Sequence, residues 1–369
     1  LCAVCSSSNR EKVNDEIQSG KSLRQVAKDW GFSKSSVQRH RKHLYEKEAQ
    51  EIPNGIVTKI STLYDAEGNV KQQWVMEKPE DRDRLVLWQE IAKDIAKDIE
   101  PINEMAIPAS TNDDLLVCYP VGDLHLGMLS WDKETGHDWD LKIGERVFDE
   151  SMGFLVDSAP SADNALVAFL GDFMHYDSFE AITPTSGNLL DSDSRYPKMV
   201  KVAIRSARRA IEKAAAKHRN VRVIVEIGNH DLSNSVFLAH ALDAIYENNP
   251  RIVIDIAPSH FHYVEHGKVL IATHHGHGVK MEKLPNIMAA DRPEAWGRTK
   301  FRYWLTGHIH QHKHLDFPGV SVESFRVLAP QDAWSFNKGY RSQRDMKALV
   351  FHHDYGEVSR ITVNPDMFV

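Results

Sequence analysis

Val121-Gly122-Asp123-Leu124-His125-Leu126-Gly127 is the stretch around which the rest of the chain reads. It follows Leu115-Leu116-Val117-Cys118-Tyr119, a short apolar run of strand type, and its glycines end the strand. An Asp and a His two residues apart at a strand's end can both reach one cation. Four later stretches repeat the design: Gly171-Asp172, Gly228-Asn229-His230-Asp231, His274-His275-Gly276-His277 and Gly307-His308-Ile309-His310. The first three directly follow the apolar runs 165–170, 221–227 and 269–272, and the last follows Tyr303-Trp304-Leu305. Residues of metal-ligand type are therefore expected along one edge of a sheet.

The order DxH, GD, GNHD, HG, GHxH resembles that of the calcineurin-like metallophosphoesterases. Any one of these motifs is weak evidence, but all five in sequence between Asp123 and His310 is a strong signal. The resemblance implies an α/β fold, a four-layer β-sandwich flanked by helices, with the metals at its rim. It also implies a set of ligands. Asp123, His125 and His310 would hold a first divalent cation, Asn229, His275 and His308 a second, and Asp172 would bridge them. His274 competes with His275, and His275 is preferred because it immediately precedes Gly276. His277 is either a substrate contact or a support for the ligands. Mixed Asp, Asn and His donors suit manganese, with iron or zinc as alternatives.

Two such cations lower the pKa of a bridging water and neutralise phosphoryl oxygens, so the implied reaction is hydrolysis of a phosphate ester by a metal-bridging hydroxide. In the family the histidine of GNHD, here His230, reaches the phosphate and protonates the leaving oxygen. Asp231 beside it either orients the loop or raises the imidazole's pKa. The DxHLG form of the first motif and Gly171-Asp172-Phe173-Met174-His175 resemble the DNA-repair exonuclease branch, where the second histidine, here His175, helps position the phosphate. The GDxVDRG and GNHE of protein phosphatases are absent, as are a recognisable capping domain and partner-binding tail after His310. Two surface regions are candidates for substrate contact: the long polar loop 176–197 and the segment 296–304, which interleaves bases with aromatics and reads equally well as core packing. Trp334 to Tyr340 is read as a cleft wall or as packing.

The front of the chain is different in kind. From Lys21 to Leu44, seven basic residues stand against the single acid Asp29. Leu23, Val26 and Ala27 are spaced for a helix, Gly31 ends it, and Ser33 caps a second. The pattern resembles a helix-turn-helix, with Lys34, Ser35, Gln38, Arg39 and Arg41 on or near the groove-facing side. Cys2 and Cys5 precede it and His40 and His43 close it, a set that suits a structural zinc ion. This combination of modules resembles proteins of bacteriophages and prophages.

The expected organisation is residues 1–48 as a zinc-stapled DNA-binding module, 49–112 as a linker with a β-hairpin and an amphipathic helix, and 113–369 as the phosphoesterase domain. With 369 residues, more than one unit is expected. The net charge of −7 excludes a generally basic, wrapping nucleic-acid binder, so basic character must act locally. No apolar run reaches the ~18 residues of a membrane helix, no signal pattern opens the chain, and three cysteines make no disulfide framework. The expected location is the cytoplasm, the host's if phage-encoded. The expected partner is DNA, with no membrane; self-association into a homo-oligomer stays open. The leading function is a phosphodiesterase or nuclease acting on DNA. The alternatives are a small-molecule phosphatase or cyclic-nucleotide phosphodiesterase, and a DNA-binding accessory protein with little catalysis.

Overall fold

The computed structural model describes residues 3–47, 57–64, 70–77 and 106–368, with backbone only for 42–47 and the two strands before residue 78. The chain divides into two compact units, Leu1–Glu90 and Ile91–Val369. The amphipathic helix expected over 84–100 lies outside the described residues.

In the first unit, α1 (Arg10–Gln18), α2 (Leu23–Asp29) and α3 (Lys34–Lys47) surround a core of Val4, Val13, Ile17, Val26, Ala27 and Val37. Ser22 caps α2 by accepting from the Gln25 amide, and Ser33 accepts from the Ser36 amide at the start of α3. Between them Gly31 takes a φ of 67°, which a residue without a Cβ adopts readily. The strands β1 (Val57–Tyr64) and β2 (Val70–Glu77) pair antiparallel.

The second unit contains two sheets. One orders its strands β13-β12-β3-β4-β5-β6, from β3 (Asn112–Val121), β4 (Ala162–Phe169), β5 (Asn220–Val225), β6 (Ile252–Asp255), β12 (Met346–His352) and β13 (Gly356–Val363). Its strands β3 to β6 are parallel, and β12 and β13 extend it antiparallel. The other orders β10-β11-β9-β8-β7, from β7 (His262–His266), β8 (Val269–His274), β9 (Phe301–Thr306), β10 (Lys313–Phe317) and β11 (Val320–Ser324). Here β8, β9 and β11 are parallel.

Facing side chains of the two sheets make one core, with Leu116, Cys118, Leu166, Ala168, Leu349 and Phe351 meeting Val269, Ile271 and Leu305. After the short α4 (Asp132–Thr135), α5 (Leu141–Ser158) and α6 (Tyr196–Lys217) lie on the outer side of the larger sheet. The buried Ala203, Ala207, Ala210 and Ala214 of α6 allow its backbone to approach closely. Outside the smaller sheet, α8 (Leu284–Asp291) and α9 (Pro293–Arg298) cover Leu270, Ala272, Trp304, Val320 and Val322. The result is the mixed α/β sandwich, helix, sheet, sheet, helix, that the sequence leads one to expect. Strand β10 is among the elements the sequence pattern does not reveal: Lys313-His314-Leu315-Asp316-Phe317 is an edge strand with only Leu315 and Phe317 half-buried.

Parallel strands send their C-terminal ends to a common edge, and in open sheets ligands bind outside those ends. The loops after β3, β4, β5, β8 and β9 carry the five motifs.

Candidate metal centre

Four non-glycine residues among those described have positive φ: His125 (47°), Asp172 (49°), His308 (70°) and His310 (54°). All four belong to the five motifs. Left-handed backbone at such residues costs about 1–3 kcal/mol each and persists only where the surroundings impose it. Glycines impose it here. A Cβ at Gly171 would stand 2.5 Å from the His275 ring, one at Gly228 2.1 Å from Asp172 Oδ1, and one at Gly307 2.7 Å from Asp123 Oδ2. The loops also hold one another directly. The His125 amide donates to the Asp172 carbonyl at 3.0 Å, the His230 amide to Asp172 Oδ1 at 2.7 Å, and the His308 amide to both Asp123 oxygens at 3.0 Å.

The side chains converge in sets with metal-ligand spacing: Asp123 with His125 and His310, Asp172 with His275 and His308, and His125 with His175 and His230. The His125 and His310 Nε2 atoms are 3.1 Å apart. That is close to the separation of two imidazoles sharing one tetrahedral cation, whose Zn–N bonds are about 2.0–2.1 Å long. His275 Nδ1 donates to the Leu170 carbonyl at 2.7 Å, so Nε2 is turned to Asn229 Oδ1 at 2.9 Å and Asp172 Oδ2 at 3.3 Å. An imidazole fixed in this way through its other nitrogen is the usual arrangement of a metal-ligating histidine. Burial pulls the His275 pKa down, but the Asp172 carboxylate and then Asp123 outweigh it and push it up to about 10. The proton on Nε2 thus stands where the donors would accept a cation. Burial would raise Asp172, yet His275, His230 and His125 hold it well below the usual carboxylate range. Two fully buried carboxylates ringed by imidazoles are a costly arrangement without positive charge among them, so the donors fit a pair of divalent cations.

His274 is not part of this set. It is buried, its ring stacks on Phe261 at 4.8 Å, and its Nδ1 accepts the Gly276 amide. The preference for His275 agrees with this geometry. His277 packs beside both His275 and His308, and its Nδ1 is buried without a hydrogen-bond partner among the described residues. His230 is half-buried and donates from Nδ1 to the His175 carbonyl at 2.9 Å.

Two expectations are narrowed. Of the two roles open to Asp231, the hydrogen bonds carry loop orientation: its carboxylate accepts the amides of Asp172 (3.1 Å) and Met174 (3.0 Å) and so shapes the Gly171-Asp172 loop. Burial, reinforced by Asp172, pushes it up to about 7. His175 cannot offer a nitrogen to a substrate phosphate. It is 2% exposed, its Nδ1 lies 3.3 Å from that of His125, and burial drives its pKa down to about 3. The sequence reading also missed Asp177. Because Asp231 is engaged elsewhere, Asp177 accepts the Ser233 and Asn234 amides at the start of α7 (Leu232–Tyr246), the helix that follows Asn229 and His230. An aspartate five residues after Asp172 was the available signal.

The expected surface contacts are sorted similarly. Trp304 is fully buried, Arg302 lies over the Trp296 ring at 4.2 Å, and Arg298 pairs with Glu265, so segment 296–304 is packing and not a stacking platform for bases. Loop 176–197 is tied to the first motif through Leu129–Asp191 and Asp193–Gly127 backbone bonds. Trp334 and Tyr340 are exposed and stack on each other.

In the first unit Lys34, Ser35, Gln38 and Arg39 are exposed on α3, Arg41 is half-buried, and Ser36, Val37 and His40 face inward. Cys5 Sγ is 3.2 Å from His40 Nδ1, and His40 Nε2 is 2.6 Å from Asn14 Oδ1. Cys2 and the His43 side chain lie outside the described residues.

No family model matches the chain, and no curated protein matches it. Among solved structures it is similar to a predicted phosphoesterase from Streptococcus pneumoniae TIGR4, at 11% identity over 68% of this chain and 98% of that one, with a TM-score of 0.28. It is also similar to a novel archaeal phosphodiesterase, at 15% identity over 67% and 99% with a TM-score of 0.36. A third is Vacuolar Protein Sorting 29 from Cryptosporidium Parvum, at 12% identity over 68% and 97% with a TM-score of 0.32. Likeness at this level assigns no activity to this chain.

Proposed function

We propose that the chain is a dinuclear-metal-dependent phosphoester hydrolase of calcineurin-like type, a phosphodiesterase that cuts DNA. One observation carries the chemistry: five loops from two sheets bring two sets of Asp and His donors together, with every positive-φ non-glycine residue among those described inside them. Asp123, His125 and His310 would hold one cation, Asn229, His275 and His308 the other, with Asp172 shared. The hard oxygens and imidazoles suit manganese, iron or zinc. When bound, such a pair supplies a water of lowered pKa and positive charge facing the phosphoryl oxygens.

The chain's own groups do the rest. His230 is oriented by two bonds, its amide on Asp172 and its Nδ1 on the His175 carbonyl. Its Nε2 remains for the leaving oxygen, where it gives up a proton. Asp231 keeps Asp172 in place, and Asp177 anchors the helix behind the Asn229-His230 loop.

The DNA-repair-exonuclease resemblance and the exposed basic face of α3 support DNA as substrate, the first unit reading phosphate and groove. Cys5 beside His40, whose second nitrogen is held by Asn14, supports a zinc staple completed by Cys2 and His43.

The test is the full chain with Mn2+ on end-labelled linear and circular DNA and on bis-p-nitrophenyl phosphate. Asp172→Asn should abolish both activities, and His230→Ala should lower them about 10²–10⁴-fold with the cations still bound. A Lys34→Ala/Arg39→Ala protein should lose activity on DNA and keep it on the small diester. Equal DNA cleavage by that protein would rule out targeting by α3, and turnover of nucleotides alone would favour a small-molecule phosphodiesterase.

A further inference from the structure

His175 is buried and touches the candidate ligand His125 without belonging to either proposed ligand set, and its geometry gives it work that a substrate contact would not. Its Nδ1 is 3.3 Å from His125 Nδ1, while the opposite nitrogen of His125 is the one that approaches His310. Two Nδ1 atoms that close share a single proton. For His125 to offer a lone pair at Nε2 its proton must sit on Nδ1, so His125 donates and His175 accepts. The proton of His175 is then on Nε2, which is buried and has no hydrogen-bond partner among the described residues. The backbone of the same residue serves the other half of the site: its amide donates to the Leu126 carbonyl, and its carbonyl accepts from His230.

We propose that His175 is a positioning residue that acts through His125: its Nδ1 fixes the tautomer and ring orientation in which His125 binds the first cation. This rests on the metal-centre reading above and replaces direct contact of His175 with phosphate. A partner of this kind is worth about 10–100-fold in metal affinity. Replacing the His175 side chain leaves the main-chain carbonyl bond to His230 intact but removes the ring stacked on His230 at 5.5 Å. The loss of metal affinity should therefore fall on the first cation.

The experiment compares wild type, His175→Leu and His175→Asn as full-length, metal-stripped proteins titrated with Mn2+ and followed by calorimetry and electron paramagnetic resonance. Leucine fills the space without an acceptor, and asparagine places an acceptor oxygen near the Nδ1 position. The expected result is a first-site affinity about 10–100-fold weaker for His175→Leu, close to wild type for His175→Asn, and an unchanged second site. Turnover of bis-p-nitrophenyl phosphate at saturating Mn2+ is followed alongside. Equal Mn2+ affinity in all three proteins overturns the proposal, as does equal weakening in both variants. Wild-type Mn2+ affinity with lost turnover overturns it too, and returns His175 to the substrate. A wild-type protein that binds no Mn2+ refutes the metal centre itself, an outcome separable from these.

Discussion

Replacing Gly228 by alanine tests the close approach on which the centre depends. Gly228 does not need a positive φ, so the substitution acts only through the added methyl group. That carbon would lie 2.1 Å from Asp172 Oδ1, 2.2 Å from the Asp172 amide nitrogen and 2.5 Å from Asp231 Oδ1. None of these is the free end of a flexible chain. Asp172 Oδ1 is held by the His230 amide, and Asp231 by the amides of Asp172 and Met174. Restoring van der Waals separation requires about 1 Å of movement between the two loops. Overpacking of this kind costs about 1–3 kcal/mol, and a misplacement of about 1 Å at reacting groups costs on the order of 10²-fold in rate. The Gly228→Ala protein should therefore unfold at lower denaturant, bind Mn2+ more weakly and turn over bis-p-nitrophenyl phosphate about 10²-fold more slowly. Gly153→Ala is the control: its Cβ would meet only Lys213 Nζ, at 3.5 Å, and helix α5 should gain about 0.5–1 kcal/mol. Unchanged Mn2+ affinity and turnover in Gly228→Ala would refute the packing of Asp172 against this loop.

Three more outcomes follow from the structure. Saturating Mn2+ should raise the unfolding midpoint, by about 2.7 kcal/mol of stability at a hundredfold excess over Kd, and chelation should reverse the gain; Asp172→Asn should show little of it. Far from the centre, buried His218 bonds Tyr119 through Nε2 and accepts the Ala162 amide at Nδ1, and burial pulls its pKa from 6.5 down to about 4. Its folded pKa being depressed, it is neutral and costs nothing above pH 6.5, while stability falls by up to about 3 kcal/mol as pH drops towards 4; denaturant titrations should show this slope flattened in His218→Gln. Asp177→Ala should expose two amides of α7 and cost about 0.5–2 kcal/mol in a melt, lowering turnover more than Mn2+ affinity because the helix follows His230 directly.

The motif-bearing strand ends were legible in this sequence because β3, β4, β5, β8 and β9 each run into a glycine within three residues, and the donors sit beside that glycine. β10 was not, since it is a short edge strand whose alternation rests on Leu315 and Phe317 alone, both only half-buried. The aromatics of 296–304 stayed ambiguous in sequence: bases among aromatics describe a nucleic-acid surface and an outer helix-sheet seam equally well. Only the burial of Trp304 and the Arg298–Glu265 pair separate the two.

The choice between His274 and His275 shows where sequence stops and backbone begins. Side chains alternate along β8, with Leu270 and Ala272 under helices α8 and α9, and Val269 and Ile271 in the core between the sheets. His274 shares the parity of the first pair and meets Phe261, whereas His275 shares that of the second and reaches Asp172. Both faces of β8 are apolar, so parity alone could not say which faced the donors. Nor could it foresee left-handed backbone at His125, Asp172, His308 and His310, which turns each side chain off the strand's alternation. That conformation is held by neighbours with no room for a Cβ and by amides clasping two buried carboxylates. The strain and the donor set are thus one construction: glycines let the loops close, closure bends the ligand residues, and the bend aims them at shared points.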